Sequence, residues 1–140
     1  MTARNSAQIL PLMAILIMAL LTVTGLALDG GQVLVARREA QGIADAAARA
    51  GAAQLDEQSV RAGDSPPLLD PAAAYSAAAA YVAVQRPGFS ATVATTPQQV
   101  DVHISTTVPL SFMRLAGLNS ATIQADGTAE PRTGITQVGN

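Results

Sequence analysis

The sequence contains no cysteine and no tryptophan, and aromatic residues make up only 3% of its 140 residues. Without cysteine the chain cannot form the disulfides that stabilise many small exported domains. Without large rings the core must be filled by Ala, Val, Leu and Ile, each of which buries less apolar surface. We therefore expect any part outside a membrane to depend on a partner or on the bilayer for stability.

Charge is also scarce, at 13% of the chain against about 25% in an ordinary soluble domain. The net charge is -2, and the eight basic residues are spread thinly along the chain. A nucleic-acid partner is not expected, because no basic stripe could follow a phosphate backbone. A metal site is not expected either, since His103 is the single histidine and zinc needs several His or Cys ligands.

Catalytic residue types do not form a recognisable group. His103 shares one face of a predicted strand with Asp101, and Ser105 follows, but nothing completes a nucleophile, base and orienting partner. The Gly30-Gly31 pair lacks the Lys and Ser/Thr of a phosphate-binding loop. We expect a protein that is not an enzyme, with no cofactor and no small-molecule substrate.

The longest apolar run is Ile9 to Leu28, which contains no charged residue. As a helix it would be about 30 Å long, the thickness of the hydrocarbon core of a bilayer. This length predicts a transmembrane anchor helix at 9–28. One alternative is a cleaved signal peptide with a cleavage site at Gly25-Leu26-Ala27, although such peptides have apolar stretches of about 7 to 15 residues. A buried soluble helix is the other, although the remaining chain could hardly surround it.

The flanks of this run suggest an orientation. Residues 1–8 carry Arg4 and form the predicted cytoplasmic tail, whereas Asp29 is the first charge on the other side. Arg37 and Arg38 follow, so counting basic residues alone does not decide the matter. We expect a single-pass protein of the cytoplasmic membrane, with the N-terminus inside and the C-terminal domain extracytoplasmic.

Residues 29–55 are predicted to continue the helix beyond the membrane as an amphipathic extension. Small apolar residues recur there at steps of three and four, and the candidate interaction residues among them are Ala40, Ala44, Ala47 and Gly51. Small side chains allow close approach of another element. That element could be a strand of the same chain or a helix of a neighbouring subunit. The glycines Gly30-Gly31 are expected to bend or fray the helix.

Asp29 is a further candidate interaction residue, at the outer end of the apolar run. In one interpretation it pairs with a positive charge on a neighbouring subunit, such as an N-terminal amine or an arginine. In the other it is an exposed, unpaired carboxylate at the boundary between lipid and water, where a charge costs much less than at the membrane centre.

The remaining chain predicts a small α+β domain at 68–130, after a polar linker at 56–67 and before a polar tail at 131–140. A second helix should begin at Pro71, a good first helical residue that follows the N-cap Asp70, and end at 86–88, with Tyr75 and Tyr81 as core or groove anchors. Alternating polarity predicts about three antiparallel strands, near 89–95, 100–105 and 119–129. Val108-Pro109 should end the second strand, and 110–118 should form a short helical turn.

The chain resembles the TadE/TadG-like proteins of tight-adherence (Flp, type IVb) pilus assembly. The resemblance lies mainly in the segment from Ala7 to Ala53. The residues that carry it are Gln8 before the apolar run, Gly25–Gly31, Val35–Arg38 and Ala44–Ala52. Val108-Pro109 and Phe112–Leu118, followed by a strand, are similar to the C-terminal part of these proteins.

The resemblance implies a pilin-like fold with a long anchor helix, and a minor-pilin-like or pilus-assembly protein acting by helix packing and contacts with other pilus or secretion subunits. Some members are processed by a prepilin peptidase. We expect an unprocessed anchor, because Ala7 stands where the family has Gly and Leu12 where it has Glu. The alternative function is a membrane-tethered extracytoplasmic binding domain unrelated to pili.

Overall fold

A computed structural model describes residues 3–132, and at 3–8, 115 and 116 it describes the backbone alone. The described residues form an α+β fold, as predicted, with a long apolar N-terminal helix and a three-stranded antiparallel sheet. Residues 133–140 of the predicted tail lie outside the described part. In chain order the elements are α1 (Ala3–Ala52), α2 (Glu57–Ala62), α3 (Pro71–Gln85), β1 (Ser90–Thr95), β2 (Val100–Pro109), a 3-10 turn (Met113–Ala116) and β3 (Ser120–Ala129).

Helix α1 is one continuous element of 50 residues. It begins before the apolar run, at Ala3, and ends at Ala52, close to the predicted end of the extension. The helix continues through Gly30-Gly31 without interruption, so the fraying expected there is absent, while a bend stays a prediction. Each glycine costs a helix only about 1 kcal/mol relative to alanine, and strong helix formers flank the pair on both sides.

A short helix, α2, lies where a linker without secondary structure was predicted. The Asp56 side chain accepts hydrogen bonds from the backbone N–H groups of Gln58 and Ser59, at 2.6 and 3.1 Å. Gly63 ends the helix in a left-handed conformation, with φ 77°, which glycine adopts at little cost. The sequence of this segment contains helix start and stop signals, Asp56 and Gly63, but its polar composition led to the prediction of a linker.

Helix α3 begins where the sequence predicts. The Asp70 carboxylate accepts from the N–H groups of Ala72 and Ala73, at 2.9 and 3.1 Å, and Pro71 is the first helical residue. Ala74, Ala78 and Val82 form its buried face.

The three strands lie in the order β1-β2-β3. Strands β1 and β2 pair antiparallel, with Val93 opposite Val102 and Thr95 opposite Val100. The predicted alternation in β2 is confirmed, since Val100, Val102 and Ile104 are buried. The expected end of the strand at Val108-Pro109 is confirmed, since β2 ends at Pro109, although the strand extends beyond the predicted 100–105. A proline is tolerated there because the terminal residue of a strand can lack a ladder donor.

The chain divides into two compact units. Unit 1 comprises the described residues up to Val35 together with Thr107–Ala121. Within it, every Leu, Ile, Met and Val between Ile9 and Leu28 is at least 51% exposed. Among the described residues α1 is the one helix long and apolar enough to cross a membrane, and it fits a single-pass membrane anchor.

Unit 2 comprises Ala36–Thr106 and the described residues from Thr122 onward. Its core is built from the second part of α1, helix α3 and the sheet, and its buried apolar members include Ala44, Ala47, Ala78, Val102, Ile104 and Ile123.

Two glycines in unit 2 allow close approach between the backbones of neighbouring elements. A Cβ atom on Gly127 would lie 2.3 Å from the carbonyl carbon of Ala44, and one on Gly51 would lie 2.9 Å from the carbonyl oxygen of Ala74.

Candidate functional site

The most distinctive site in unit 1 is formed by the connection between β2 and β3, residues 110–119, which we call the docked loop. Its base is closed by a hydrogen bond from the N–H of Leu110 to the carbonyl oxygen of Asn119, at 3.0 Å. A second bond runs from the N–H of Leu118 to the carbonyl oxygen of Met113, at 3.1 Å. Gly117 makes this turn possible with φ 89°. The loop is thus a compact body with its own internal hydrogen bonds.

Asp29 binds the docked loop to helix α1. Its Oδ1 accepts from the N–H of Ser111 at 3.0 Å, and its Oδ2 accepts from the N–H groups of Phe112 and Met113 at 2.8 and 2.7 Å. The first turn of any helix leaves backbone N–H groups without partners. Phe112, which precedes the 3-10 turn, has no side chain that could accept from them. The carboxylate of Asp29 therefore caps this turn from a distant part of the chain.

Gly25 provides the space for this contact. It lies four residues before Asp29, and positions four apart share one face of a helix. A Cβ atom on Gly25 would lie 2.6 Å from Cβ and 2.8 Å from Cγ of Phe112. Phe112 therefore packs directly against the helix backbone at Gly25. The Gly25 and Asp29 pair forms one docking face on α1.

The Asp29 carboxylate is fully enclosed, with 0% of its surface exposed, and lies just beyond the apolar run. The N–H of Met113 lowers its pKa below the ordinary 3.8, enclosure raises it, and the N–H groups of Ser111 and Phe112 lower it again. The net effect is a lowered pKa. Three donors thus keep the enclosed carboxylate ionised, because hydrogen bonds to the charged form favour it.

This lowered pKa makes the docked loop acid-sensitive. Since the folded-state pKa lies below the ordinary 3.8, the bond network stabilises the folded state fully above that value and is lost as the pH falls through the lowered pKa. Amide proton shifts of Ser111, Phe112 and Met113 in detergent micelles should stay constant from pH 7 down to about 4 and change only in stronger acid. A midpoint near pH 6 would contradict the assignment of these donors to Asp29.

The interpretation of Asp29 as an exposed, unpaired carboxylate is wrong, because the side chain is enclosed and accepts three hydrogen bonds. Its pairing with a neighbouring subunit stays a prediction. Sequence reasoning missed the partners, Gly25 and the segment Ser111–Met113. The available signals were the spacing of Gly25 and Asp29 and a helical turn without a capping residue. Neither signal identifies which segment, more than 80 residues away, meets the helix.

The other candidate residues, Ala40, Ala44, Ala47 and Gly51, are all buried within unit 2. Their surroundings favour packing inside the chain, since the backbone at Ala44 meets Gly127 of β3 and Gly51 meets Val100 of β2. Gln41 reinforces this contact by donating from Nε2 to the carbonyl oxygen of Asp126, at 2.7 Å. Helix packing between subunits through these positions stays a prediction.

Substitution of Ala47 with leucine should destabilise unit 2 by about 1–3 kcal/mol, because an enclosed position must accommodate three extra carbons. The matched control is Ala80 to leucine, also in a helix but exposed, which should change stability by less than about 0.5 kcal/mol. Urea denaturation followed by tyrosine fluorescence measures both, since Tyr75 and Tyr81 are the two tyrosines and both belong to unit 2. Equal midpoints for the two variants would show that Ala47 is not closely packed.

The polar residues on the sheet of unit 2 pair with one another. His103 Nδ1 lies 2.6 Å from Asp126 Oδ1, and Thr128 donates to Asp101 at 2.8 Å. Both pairs join β2 to β3. Within residues 3–132 no group of three or more His, Asp or Glu residues is placed to hold a metal ion. These contacts can align the two strands.

Comparison with known proteins gives one finding. A family model, the TadE/G-like Flp pilus-assembly family, matches residues 7–54. The match confirms the resemblance over this segment, which covers about a third of the chain and includes the apolar run, Gly25, Asp29 and the buried small residues of α1. This family is structural and is not known as enzymatic. No curated protein and no solved structure gave a significant match.

Proposed function

We propose that the chain is a TadE/TadG-like pilus-assembly protein, anchored in the cytoplasmic membrane by residues 9–28. Its N-terminus lies inside and residues 29–132 lie outside, where they act by binding other pilus or secretion subunits, as a minor pilin does. The mechanism is structural. The anchor retains the protein in the bilayer, and the folded part outside presents surfaces to its partners.

The observation that carries this proposal is the family match over residues 7–54. It is supported by the exposure of the large apolar side chains between Ile9 and Leu28, since a soluble protein seldom leaves so long an apolar surface in water. Further support comes from Leu34 and Val35, which are exposed on α1 beyond Asp29. They extend the apolar surface of the helix past the proposed anchor, where another subunit could pack against it.

Co-purification tests the partners. The full chain, tagged at its C-terminus, is expressed together with the neighbouring assembly genes and captured from detergent-solubilised membranes. We expect it to retain pilus or secretion subunits. The control carries the same tag on residues 1–28 alone and should retain none of them. Equal recovery with both chains, or no recovery with the full chain, would contradict the proposal.

A reporter fused after Asn140 tests the orientation. An enzyme that is active only outside the cytoplasm should be active at this position, because one membrane crossing separates the two ends of the chain. Activity of a cytoplasm-only reporter at the same position would reverse the proposed topology.

A second candidate function is that of a membrane-tethered extracytoplasmic binding domain unrelated to pili. It is favoured by a groove between α3 and β1 in unit 2, whose lining includes Tyr75, Val82, Arg86, Phe89 and Val93. An arginine beside aromatic and aliphatic side chains can bind an amphipathic ligand. The pilus-assembly function is favoured if assembly genes lie beside this gene and their products are recovered with the chain. The binding-domain function is favoured if the gene stands alone and the chain binds an envelope ligand.

A further inference from the structure

The docked loop presents apolar side chains that the rest of unit 1 leaves exposed. Phe112 is 45% exposed and Leu118 is 52% exposed. The loop also contains Met113 and Leu115, and its one charged residue is Arg114. Such a composition is unusual for a connection between two strands, because loops in water are mostly polar.

The position of the loop along α1 explains this composition. Phe112 packs on Gly25, which lies three residues inside the end of the apolar run, or about 4.5 Å closer to the bilayer centre than Leu28. The apolar surface of the helix also continues past the loop, because Leu34 and Val35 are exposed. Exposed charge on α1 beyond Asp29 begins at Arg37. Along α1, exposed apolar side chains therefore lie on both sides of the position where the loop contacts the helix.

We propose that the docked loop is a second membrane contact, in which Phe112 and Leu118 lie in the outer headgroup layer of the bilayer beside the last turn of the anchor. This inference rests on the proposed anchoring by residues 9–28. The headgroup layer on each side adds about 5–8 Å to the 30 Å hydrocarbon core, which is enough to take the side chains of Phe112 and Leu118. Arg114 is exposed and can reach lipid phosphates while its stem lies against apolar groups.

The bonds to Asp29 fit this location. Backbone N–H groups that approach the hydrocarbon core must have partners inside the protein, because the lipid tails offer no acceptors. Asp29 satisfies those of Ser111, Phe112 and Met113, and Asn119 satisfies that of Leu110. The loop can therefore lie beside the hydrocarbon core without leaving these donors unsatisfied.

Spin labels test the inference, and the absence of native cysteine makes each introduced cysteine unique. The full-length variants Leu118→Cys and Phe112→Cys are labelled and reconstituted in vesicles of phosphatidylcholine and phosphatidylglycerol. Two reference variants are Leu20→Cys, in the apolar run, and Val84→Cys, which is on α3 in unit 2 and 82% exposed. Collisions with oxygen, which concentrates in lipid, are compared with collisions with a water-soluble nickel chelate.

We expect the ratio of oxygen to nickel collisions at positions 112 and 118 to exceed that at position 84 several-fold and to stay below that at position 20, because the headgroup layer lies between water and the hydrocarbon core. A ratio at both loop positions equal to that at 84 would place the loop in water and overturn the inference. Low collision rates with both reagents would show a protein cover, such as a second copy, and would overturn it as well. Failure of the anchor itself is distinguishable, because the label at position 20 would then collide with nickel.

Discussion

Substitution of Asp29 with asparagine is expected to release the docked loop from helix α1. Asparagine keeps the size of the side chain but replaces one acceptor oxygen with an NH2 group, which would face the N–H donors of the loop. Hydrogen bonds to a charged group contribute more than neutral ones. Amide hydrogen exchange at Ser111, Phe112 and Met113 should accelerate by about tenfold or more, whereas exchange along buried β2 residues of unit 2 should not change.

The control for this experiment is Asp64 to asparagine, at an exposed position. It removes the same charge and should leave exchange in the docked loop unchanged. Exchange that stays slow at the three amides in the Asp29 variant would show that other contacts hold the loop. Acceleration throughout unit 1 in both variants would show an effect of net charge instead.

The second large effect is expected at Gly127, where β3 crosses helix α1. A Cβ atom there would lie 2.3 Å from the carbonyl carbon and oxygen of Ala44 and 2.6 Å from the backbone nitrogen of Asp45. Backbone atoms cannot rotate away as the end of a side chain can, so the helix and the strand must separate. Gly127→Ala should therefore lower the free energy of unfolding of unit 2 by about 1–3 kcal/mol, the range for overpacked cores.

Gly42→Ala is the matched control on α1, since a Cβ atom at Gly42 would have no neighbour within 4 Å. This change should raise stability by about 0.5–1 kcal/mol, because alanine loses less backbone freedom than glycine in a helix. Urea denaturation followed by tyrosine fluorescence compares the two variants. Midpoints that shift in the same direction would contradict the close contact at Gly127.

Local signals predicted much of this fold. The apolar run, the capping pair Asp70 and Pro71, and the alternation of Val100, Val102 and Ile104 each belong to a single segment, and periodicity or a capping residue reveals them. The same holds for the small residues around Ala44, whose spacing indicates a close contact. Periodicity did not show whether that contact is with the same chain or with another.

The contacts that sequence reasoning missed join distant segments. Asp29 meets residues 82 to 84 positions later in the chain, and Gly127 meets Ala44. A single sequence contains no signal for such pairs, because pairing depends on the three-dimensional course of the chain. Helix α2 was missed for a different reason, since its polar surface hides the periodicity while its caps, Asp56 and Gly63, remain readable.

Alkaline extraction of membranes containing the native chain, followed by mass analysis of pellet and supernatant, tests whether residues 9–28 anchor the protein. If residues 9–28 hold the protein in the bilayer, the chain remains in the pellet with those residues still attached and leaves it only in detergent. Recovery of the protein in the aqueous supernatant, either with the apolar run intact or after cleavage near Ala27, would contradict the membrane anchor on which the proposed function depends.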